Sequence, residues 1–543
     1  MKQYPFYSAM YFHNFRDFLD GISAFGEKPA VCTFDRDGTP VVRSFRQLCR
    51  DVACLRKALQ ELGLAQKRAV IAGENSYEWI VAYLAVVSGS GVAICLDINQ
   101  DTRTLAENVE KADGDYAFTT PEFGKAIENR LSMNRKPKIV YLNRSSSSEI
   151  PDLAGLIAAG REAEDDAPIP DSDTPSAVFF TSGTTAASKA VSLTQRNLLD
   201  NAAGAMAVSE LGNNVYSGLP LFHAYGLTCG MMHTLIRGAM LTVTENIRFM
   251  MRDARICKAV TFFAVPVILE NLLKVAEDVA RKSGKEQLFR KICGLQGGRR
   301  CLYTRIHRKK IAKLRKECFG SLRMIVTGGA YMNADVCRKL SNFGIRVFPG
   351  YGITECSPLV SVNRPDFYDT STVGTVLPGF EIKFVNREIL LRGSCVMQGY
   401  YKDPEATKEV IDEDGWFHTG DLGEMTPEGN LRITGRIKKQ IVFKNGKKIS
   451  PEKIESQLRS YPLIQDVNVT SAPFGQGADD VVLAASVFPN PELTRGMQSY
   501  QILGEVQKIV DRINETMPLY QQIRIINIQT EAFRKTSTGK TKL

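Results

Sequence analysis

A chain of 543 residues exceeds what one hydrophobic core serves, so two or more domains are expected. With 44% hydrophobic and 24% charged residues it has ordinary globular composition, which excludes fibrous and disordered classes. The net charge of +10 suits a protein that handles anionic ligands such as nucleotides. It lends only weak support to a membrane surface or nucleic acid, and no nucleic-acid partner is expected. The 12 cysteines include no C-x-x-C pair and no zinc-like spacing, so they read as reduced thiols of a cytoplasmic protein. No apolar run reaches the about 18 residues that a membrane-spanning helix needs.

The first strong periodicity is Phe45, Leu48, Val52, Leu55, Leu59 and Leu62, whose three- and four-residue steps predict an amphipathic helix. A strand at 68–72, a helix at 76–88 and a buried strand at 91–96 follow. Residues 162–173 are acidic and read as a loop. At 177–180 another buried strand leads into Thr181-Ser182-Gly183-Thr184-Thr185-Ala186-Ala187-Ser188-Lys189. Hydroxyls and bare backbone N–H groups in such a loop can cradle a polyphosphate, and the lysine adds a point charge. The Walker spacing of glycine and Gly-Lys-Ser/Thr is missing, so this is not a P-loop.

A capped helix is expected from Thr194, then Leu219-Pro220-Leu221-Phe222 delivers His223 at a strand end or turn. Strands at 240–243, 259–263 and 322–326 alternate with helices at 265–279 and 333–343. This alternation predicts parallel sheets covered on both faces. Between 303 and 319 Arg and Lys are dense, with Ile311, Leu314 and Cys318 at helical spacing. Such a helix either lies on anionic membrane or packs its apolar stripe on the core.

Thr327-Gly328-Gly329-Ala330 follows a strand, where bare backbone can approach a flat ligand. Tyr351, Thr354 and Glu355 place a ring, a hydroxyl and a carboxylate within five residues, a set for a base, a phosphate and Mg²⁺. Short β-rich pieces at 373–391 lead to Trp416-Phe417-His418-Thr419-Gly420-Asp421, whose carboxylate can hold two ribose hydroxyls. Gly435-Arg436-Ile437-Lys438-Lys439 marks a shift to a basic α/β tail that ends in Ser537-Thr538-Gly539-Lys540.

In this order and at these separations, the motifs resemble the adenylate-forming superfamily over nearly the whole chain, and most of all its fatty acyl-CoA synthetases. The resemblance implies an α/β fold: a large N-terminal domain, 1–435, of parallel sheets flanked by helices with a β-rich subdomain. A small mobile α+β C-terminal domain, 436–543, would follow, hinged at Lys438. It implies that a carboxylate attacks the α-phosphate of Mg·ATP, and that coenzyme A then displaces AMP. The mixed anhydride serves because AMP, unlike oxide, is a good leaving group. A ligase that loads a carrier protein instead of coenzyme A is the alternative. Peripheral membrane contact stays open.

By matched position, the resemblance implies that Thr181, Ser182, Gly183, Thr184 and Lys189 hold the β- and γ-phosphates, with Thr185 supporting the loop. Thr354 would meet the α-phosphate, and Glu355, with Thr184, the Mg²⁺. Tyr351 would lie on adenine beside Gly329 and Ala330, and Asp421 and Arg436 would hold the ribose. His223 would flank the reacting carboxylate, and Lys540 would bridge it to the α-phosphate. Thr181, Glu355, His223 and Lys540 form the implied catalytic set, and the Asn445-Gly446 loop would later admit the thiol. The chain departs from the family where Ala186, Ser188 and Ala190 replace glycine, proline and glycine. Those changes put loop mobility and rate in question. Gln195 stands where histidine is frequent. Gly226, Gly230 and Gly352 are expected to leave space for a medium or long aliphatic chain.

Overall fold

The computed structural model describes residues 5–131, 136–143, 151–181, 188–437, 440–443, 448–473 and 481–533. Two large sheets carry the N-terminal part. One has seven strands among the described residues, in the order Gly399–Tyr400, Lys189–Thr194, Pro175–Thr181, Val92–Cys95, Arg68–Ala72, Tyr116–Thr119, Lys138–Tyr141. The other has nine: Thr375–Val376, Leu359–Val362, Arg346–Gly352, Met324–Thr327, Thr261–Ala264, Asn214–Ser217, Met240–Thr242, Pro29–Phe34, Pro40–Ser44. Their interiors are parallel, as the strand–helix alternation predicts. The edges are not: Pro40–Ser44 and Leu359–Val362 run antiparallel to their neighbours, as do Lys189–Thr194 and Gly399–Tyr400.

Both sheets are thus parallel inside, as expected, and antiparallel at their edges. The stretch that precedes the Thr194 cap is a strand, Lys189–Thr194, which folds back on Pro175–Thr181 with Thr181 opposite Lys189. The two strands that flank the loop are therefore antiparallel neighbours. The helix after them, Gln195–Val208, begins with a reciprocal cap in which the Thr194 hydroxyl accepts from the Asn197 N–H and the Asn197 side chain accepts from the Thr194 N–H.

Helix Tyr77–Ser88 is apolar on every face, and all its residues but Glu78 are buried. A helix with no polar stripe must be covered all round. One continuous core joins it to residues of both sheets, among them Ile71 and Phe118 of the first and Val31 and Leu241 of the second. A four-stranded antiparallel sheet, Phe380–Val385, Glu388–Gly393, Phe417–Met425 and Leu431–Arg436, follows. The tail has its own core, in which Leu458, Val467, Leu483, Val506 and Val510 bring helices Pro451–Arg459 and Ser499–Asn514 onto a three-stranded sheet.

The basic region splits into two helices, Gly297–Ile306 and Arg308–Phe319. The second buries Ile311, Leu314, Cys318 and Phe319, so its apolar stripe belongs to the core and is not offered to a membrane. Among the described residues no helix is long and apolar enough to cross a membrane.

Candidate active site

The sequence motifs cluster where strands end. Thr181 closes Pro175–Thr181, Gly328 follows Met324–Thr327, and Tyr351 lies at the end of Arg346–Gly352. Open α/β sheets bind ligands outside the carboxyl ends of their strands, because loops there can vary without disturbing the sheet. Gly329 has φ +83°, a conformation that glycine adopts without strain. A β-carbon at Gly328 would lie 3.2 Å from the Gly350 carbonyl oxygen, so backbones meet closely here.

Tyr351, Asp421 and Arg436 form one network. The Tyr351 hydroxyl donates to Asp421 Oδ2 at 2.7 Å, and Arg436 Nε lies 2.6 Å from Asp421 Oδ1. Asp421 and Arg436 sit opposite each other in neighbouring antiparallel strands, so sheet register makes the pair. Asp421 is only 2% exposed, while the Arg436 side chain is 41% exposed. Burial raises the Tyr351 phenol well above its ordinary value, and the Asp421 charge adds to this. For Arg436 burial is the largest influence and works against the charge. Asp421 and Tyr351 outweigh it, so its value is raised.

Lys189, Tyr400 and Glu355 form a second group. The Lys189 ammonium sits over the Tyr400 ring, 4.6 Å from its centre. The Tyr400 hydroxyl donates to Glu355 Oε1 at 3.0 Å. Glu355 and Thr354 lie on the short 3₁₀ turn Thr354–Cys356, which directly follows the strand carrying Tyr351. Tyr400 was not singled out from the sequence. Its signal was its place in the Gly399-Tyr400-Tyr401 run, but a two-residue strand has no periodicity to read.

His223 Nε2 lies 3.8 Å from Asp97 Oδ2, just beyond strand Val92–Cys95. The segment that delivers it is clamped by Asn75, whose amide donates to the Leu219 carbonyl at 2.9 Å and accepts from the Leu221 N–H at 2.8 Å. After His223 comes a π-helix, Tyr225–Met232, of a kind that often marks functional segments and that hydrophobic periodicity does not reveal. The Tyr225 hydroxyl donates to the Val326 carbonyl at 3.3 Å, tying this segment to the Gly328 strand end.

The described residues thus bring together Thr181, Lys189, His223, Gly329, Ala330, Tyr351, Thr354, Glu355, Asp421 and Arg436 around the strand ends. Ser182, Gly183, Thr184, Thr185, Ala186, Lys438, Asn445, Gly446 and Lys540 lie outside the described residues.

The expectation for the glycines changes. A β-carbon at Gly226 would lie 2.1 Å from the Pro220 carbonyl oxygen, one at Gly230 2.6 Å from Ser217 Oγ, and one at Gly352 2.3 Å from the Pro358 carbonyl oxygen. These glycines permit close packing within the protein and do not open space for an acyl chain. Ser188 compensates in part for the missing proline: its hydroxyl donates to Asn108 Oδ1 at 3.0 Å, and Lys111 Nζ donates to its carbonyl at 2.7 Å. Ala190 lies in an ordinary strand where no special backbone is required. Gln195 is structural, since it accepts from the Phe15 N–H and donates to the Val87 carbonyl, both at 2.9 Å.

Against known proteins, the profile of the AMP-binding enzyme family matches residues 20–401. The chain belongs to that family. The profile of the AMP-binding enzyme C-terminal domain matches residues 438–542. The long-chain-fatty-acid–CoA ligase FadD15 of Mycobacterium bovis is 27% identical over 528 residues, spanning 89% of this chain and 86% of that one. Solved structures share the adenylate-forming fold. The anthranilate CoA ligase AuaEII, in complex with anthranoyl-AMP, matches with TM-score 0.78 at 19% identity over 98% of this chain and 96% of its own. The o-succinylbenzoate CoA synthetase of Bacillus subtilis, in complex with its acyl-adenylate intermediate, matches with TM-score 0.73 at 20% identity over 97% of this chain and 96% of its own. This AMP-binding enzyme is an ATP-using, AMP-forming ligase of the acyl-CoA synthetase class.

Proposed function

We propose that this AMP-binding enzyme activates a medium- or long-chain fatty acid with Mg·ATP and transfers the acyl group to coenzyme A. The observation that carries the reading is the line of groups from Lys189 through Tyr400 and Glu355 to Tyr351, Asp421 and Arg436. Its cation and carboxylates follow one another as a metal–triphosphate and a nucleoside require. Asp421 accepts from Tyr351 on Oδ2 and from Arg436 on both oxygens, and a carboxylate has about four lone pairs, so one ribose hydroxyl fits directly and a second would replace the long 3.5 Å contact from Arg436 Nη2. Glu355 Oε1 accepts from Tyr400, and Oε2 has no hydrogen bond among the described residues, which suits a metal ligand. A divalent cation there would neutralise triphosphate charge and polarise the α-phosphate.

Lys189 and Thr181 then hold the outer phosphates with the loop between them. Thr354 meets the α-phosphate, and Tyr351 lies by adenine beside Gly329 and Ala330. His223, oriented by the Asn75 clamp, flanks the acid. A small C-terminal unit hinged at Lys438 brings Lys540 in for adenylation and the Gly446 loop in for thioester formation. The fatty acid rests on the kind of relative that spans most of the chain, while the solved structures cited above are an anthranilate CoA ligase and an o-succinylbenzoate CoA synthetase.

Pyrophosphate release over a ladder of aliphatic and aromatic acids, followed by thioester detection, tests the reading. Saturable release with C8–C18 acids and an acyl-CoA product are expected. Preference for an aromatic acid would remove the fatty-acid assignment, and a thioester formed only on a phosphopantetheinylated carrier protein would remove coenzyme A. Lys540→Ala should slow adenylate formation by about 10²–10³-fold, the scale of losing one preorganised charge donor. Thioester formation from presynthesised acyl-AMP should stay near the parent rate, and parallel loss of both steps would exclude Lys540 from adenylation.

A further inference from the structure

We infer that Tyr400 is a positioning residue that keeps the phosphate-binding Lys189 and the metal-binding Glu355 close to one another but unpaired, so that both meet Mg·ATP in their working positions. The inference rests on the roles proposed above for those two residues. It starts from an electrostatic problem. A lysine and a glutamate that both contact one tyrosine side chain attract each other, and in a partly buried site direct pairing would consume both. Ligand binding would then first have to break the pair.

Tyr400 stands between them and engages each in a different way. Its ring face holds the Lys189 ammonium at 4.6 Å, a contact weak enough to be exchanged for phosphate oxygens. Its hydroxyl satisfies only Oε1 of Glu355, at 3.0 Å. Lys189 makes no ion pair among the described residues. Because a neutral phenol carries no charge, it can touch both partners without competing for either.

The spacer is itself fixed from several sides. Tyr400 is 8% exposed and pairs with Val191 in the strand that Lys189 begins. Its N–H donates to Thr407 Oγ1 at 2.9 Å, and the next N–H, of Tyr401, donates to the Ala190 carbonyl at 2.7 Å. Tyr400 and Lys189 therefore move as one piece of sheet. On the other side, the Met397 N–H donates to the Glu355 carbonyl at 2.8 Å, so the segment just before Tyr400 also holds the backbone of Glu355.

The arrangement separates two contributions that different variants remove. Tyr400→Phe keeps the ring beneath Lys189 and deletes the hydrogen bond to Glu355. Tyr400→Leu deletes both and lets the charges approach each other. ATP binding to the full-length protein, measured by titration calorimetry with and without Mg²⁺, reads the two effects directly. For Tyr400→Phe, ATP affinity should fall about tenfold with Mg²⁺, the scale of one hydrogen bond to a charged group, and less than about twofold without it. Tyr400→Leu should lose affinity in both conditions, with an unfolding midpoint showing that it is folded. On a Glu355→Gln background, Tyr400→Phe should add nothing further. If Tyr400→Phe matches the parent at every Mg²⁺ concentration while Glu355→Gln does not, the positioning role is overturned and the metal role of Glu355 stands. If Glu355→Gln also leaves the Mg²⁺ dependence unchanged, the metal assignment fails and the inference fails with it.

Discussion

At one end of the site Asp421 is almost wholly buried and already engaged by Tyr351 and Arg436, while at the other Lys189 rests on an aromatic face with no ion pair among the described residues. The first arrangement joins strands Phe417–Met425 and Leu431–Arg436 to the end of Arg346–Gly352, so its bonds serve the fold as well as a ligand. The second holds its charges by contacts that are weak in water and readily exchanged. The difference teaches where strength is useful. A group that must be ready in one geometry can be locked by buried charge, whereas one that must release its partner on each turnover cannot. Substitutions at the Asp421 end should therefore cost stability and binding together, and those at the Lys189 end binding alone.

The largest effect is expected from Arg436→Met. It leaves the 2%-exposed Asp421 carboxylate with the Tyr351 hydroxyl as its one side-chain donor among the described residues, and removing the partner of a buried charge costs about 3 kcal/mol. Urea unfolding checks this. Asp421→Ala should destabilise less, because the half-exposed Arg436 can be rehydrated, and equal losses would break the argument from burial.

Lys189→Ala comes next. ATP affinity should fall at least tenfold, from loss of charge-assisted contacts of about 1.5–3 kcal/mol, with the unfolding free energy within about 0.5 kcal/mol of the parent. A loss of stability as large as that of Arg436→Met would erase the contrast between the two ends.

Tyr351→Phe should lie between these in kind and below them in size. It removes one hydrogen bond to a buried carboxylate, about 1–2 kcal/mol, and should appear in both the unfolding curve and the apparent KM for ATP. The smallest effect belongs to Ser188→Ala. It removes one hydroxyl bond to Asn108 but keeps the Lys111 contact to the backbone, so about 1 kcal/mol or less is expected. Pyrophosphate-release rates should change by only a few-fold, and a collapse of activity would show that the hydroxyl meets the ligand directly.

Much of the scaffold is legible in the sequence. Strand Arg68–Ala72 falls on the expected residues, and helices Phe45–Glu61 and Tyr77–Ser88 lie within one residue of their expected ends. Apolar periodicity and Ser or Thr caps are local signals, and each of these elements buries a face that its own residues define. The candidate-site motifs are local for a related reason, since the run from Thr181 to Lys189 and the Tyr-x-x-Thr-Glu run each place their groups within a few residues. The Lys189–Thr194 strand was missed because it alternates poorly and earns its place by pairing on both sides. Gly226, Gly230 and Gly352 were misread because the absence of a side chain signals close approach without saying what approaches.

The α/β alternation, the order of the motifs and most of the charged residues of the candidate site can be read from the amino-acid sequence alone. Those properties depend on spacing within one segment, where the chain geometry leaves few choices. Only the tertiary structure decided that Asp421 faces Arg436 across a sheet, that Asn75 clamps the segment before His223, and that Ser188 is tied to Asn108. It alone put Tyr400 between Lys189 and Glu355, residues 166 positions apart in the chain. Register and long-range packing arise from all segments at once, and no single segment carries a record of its partner's position.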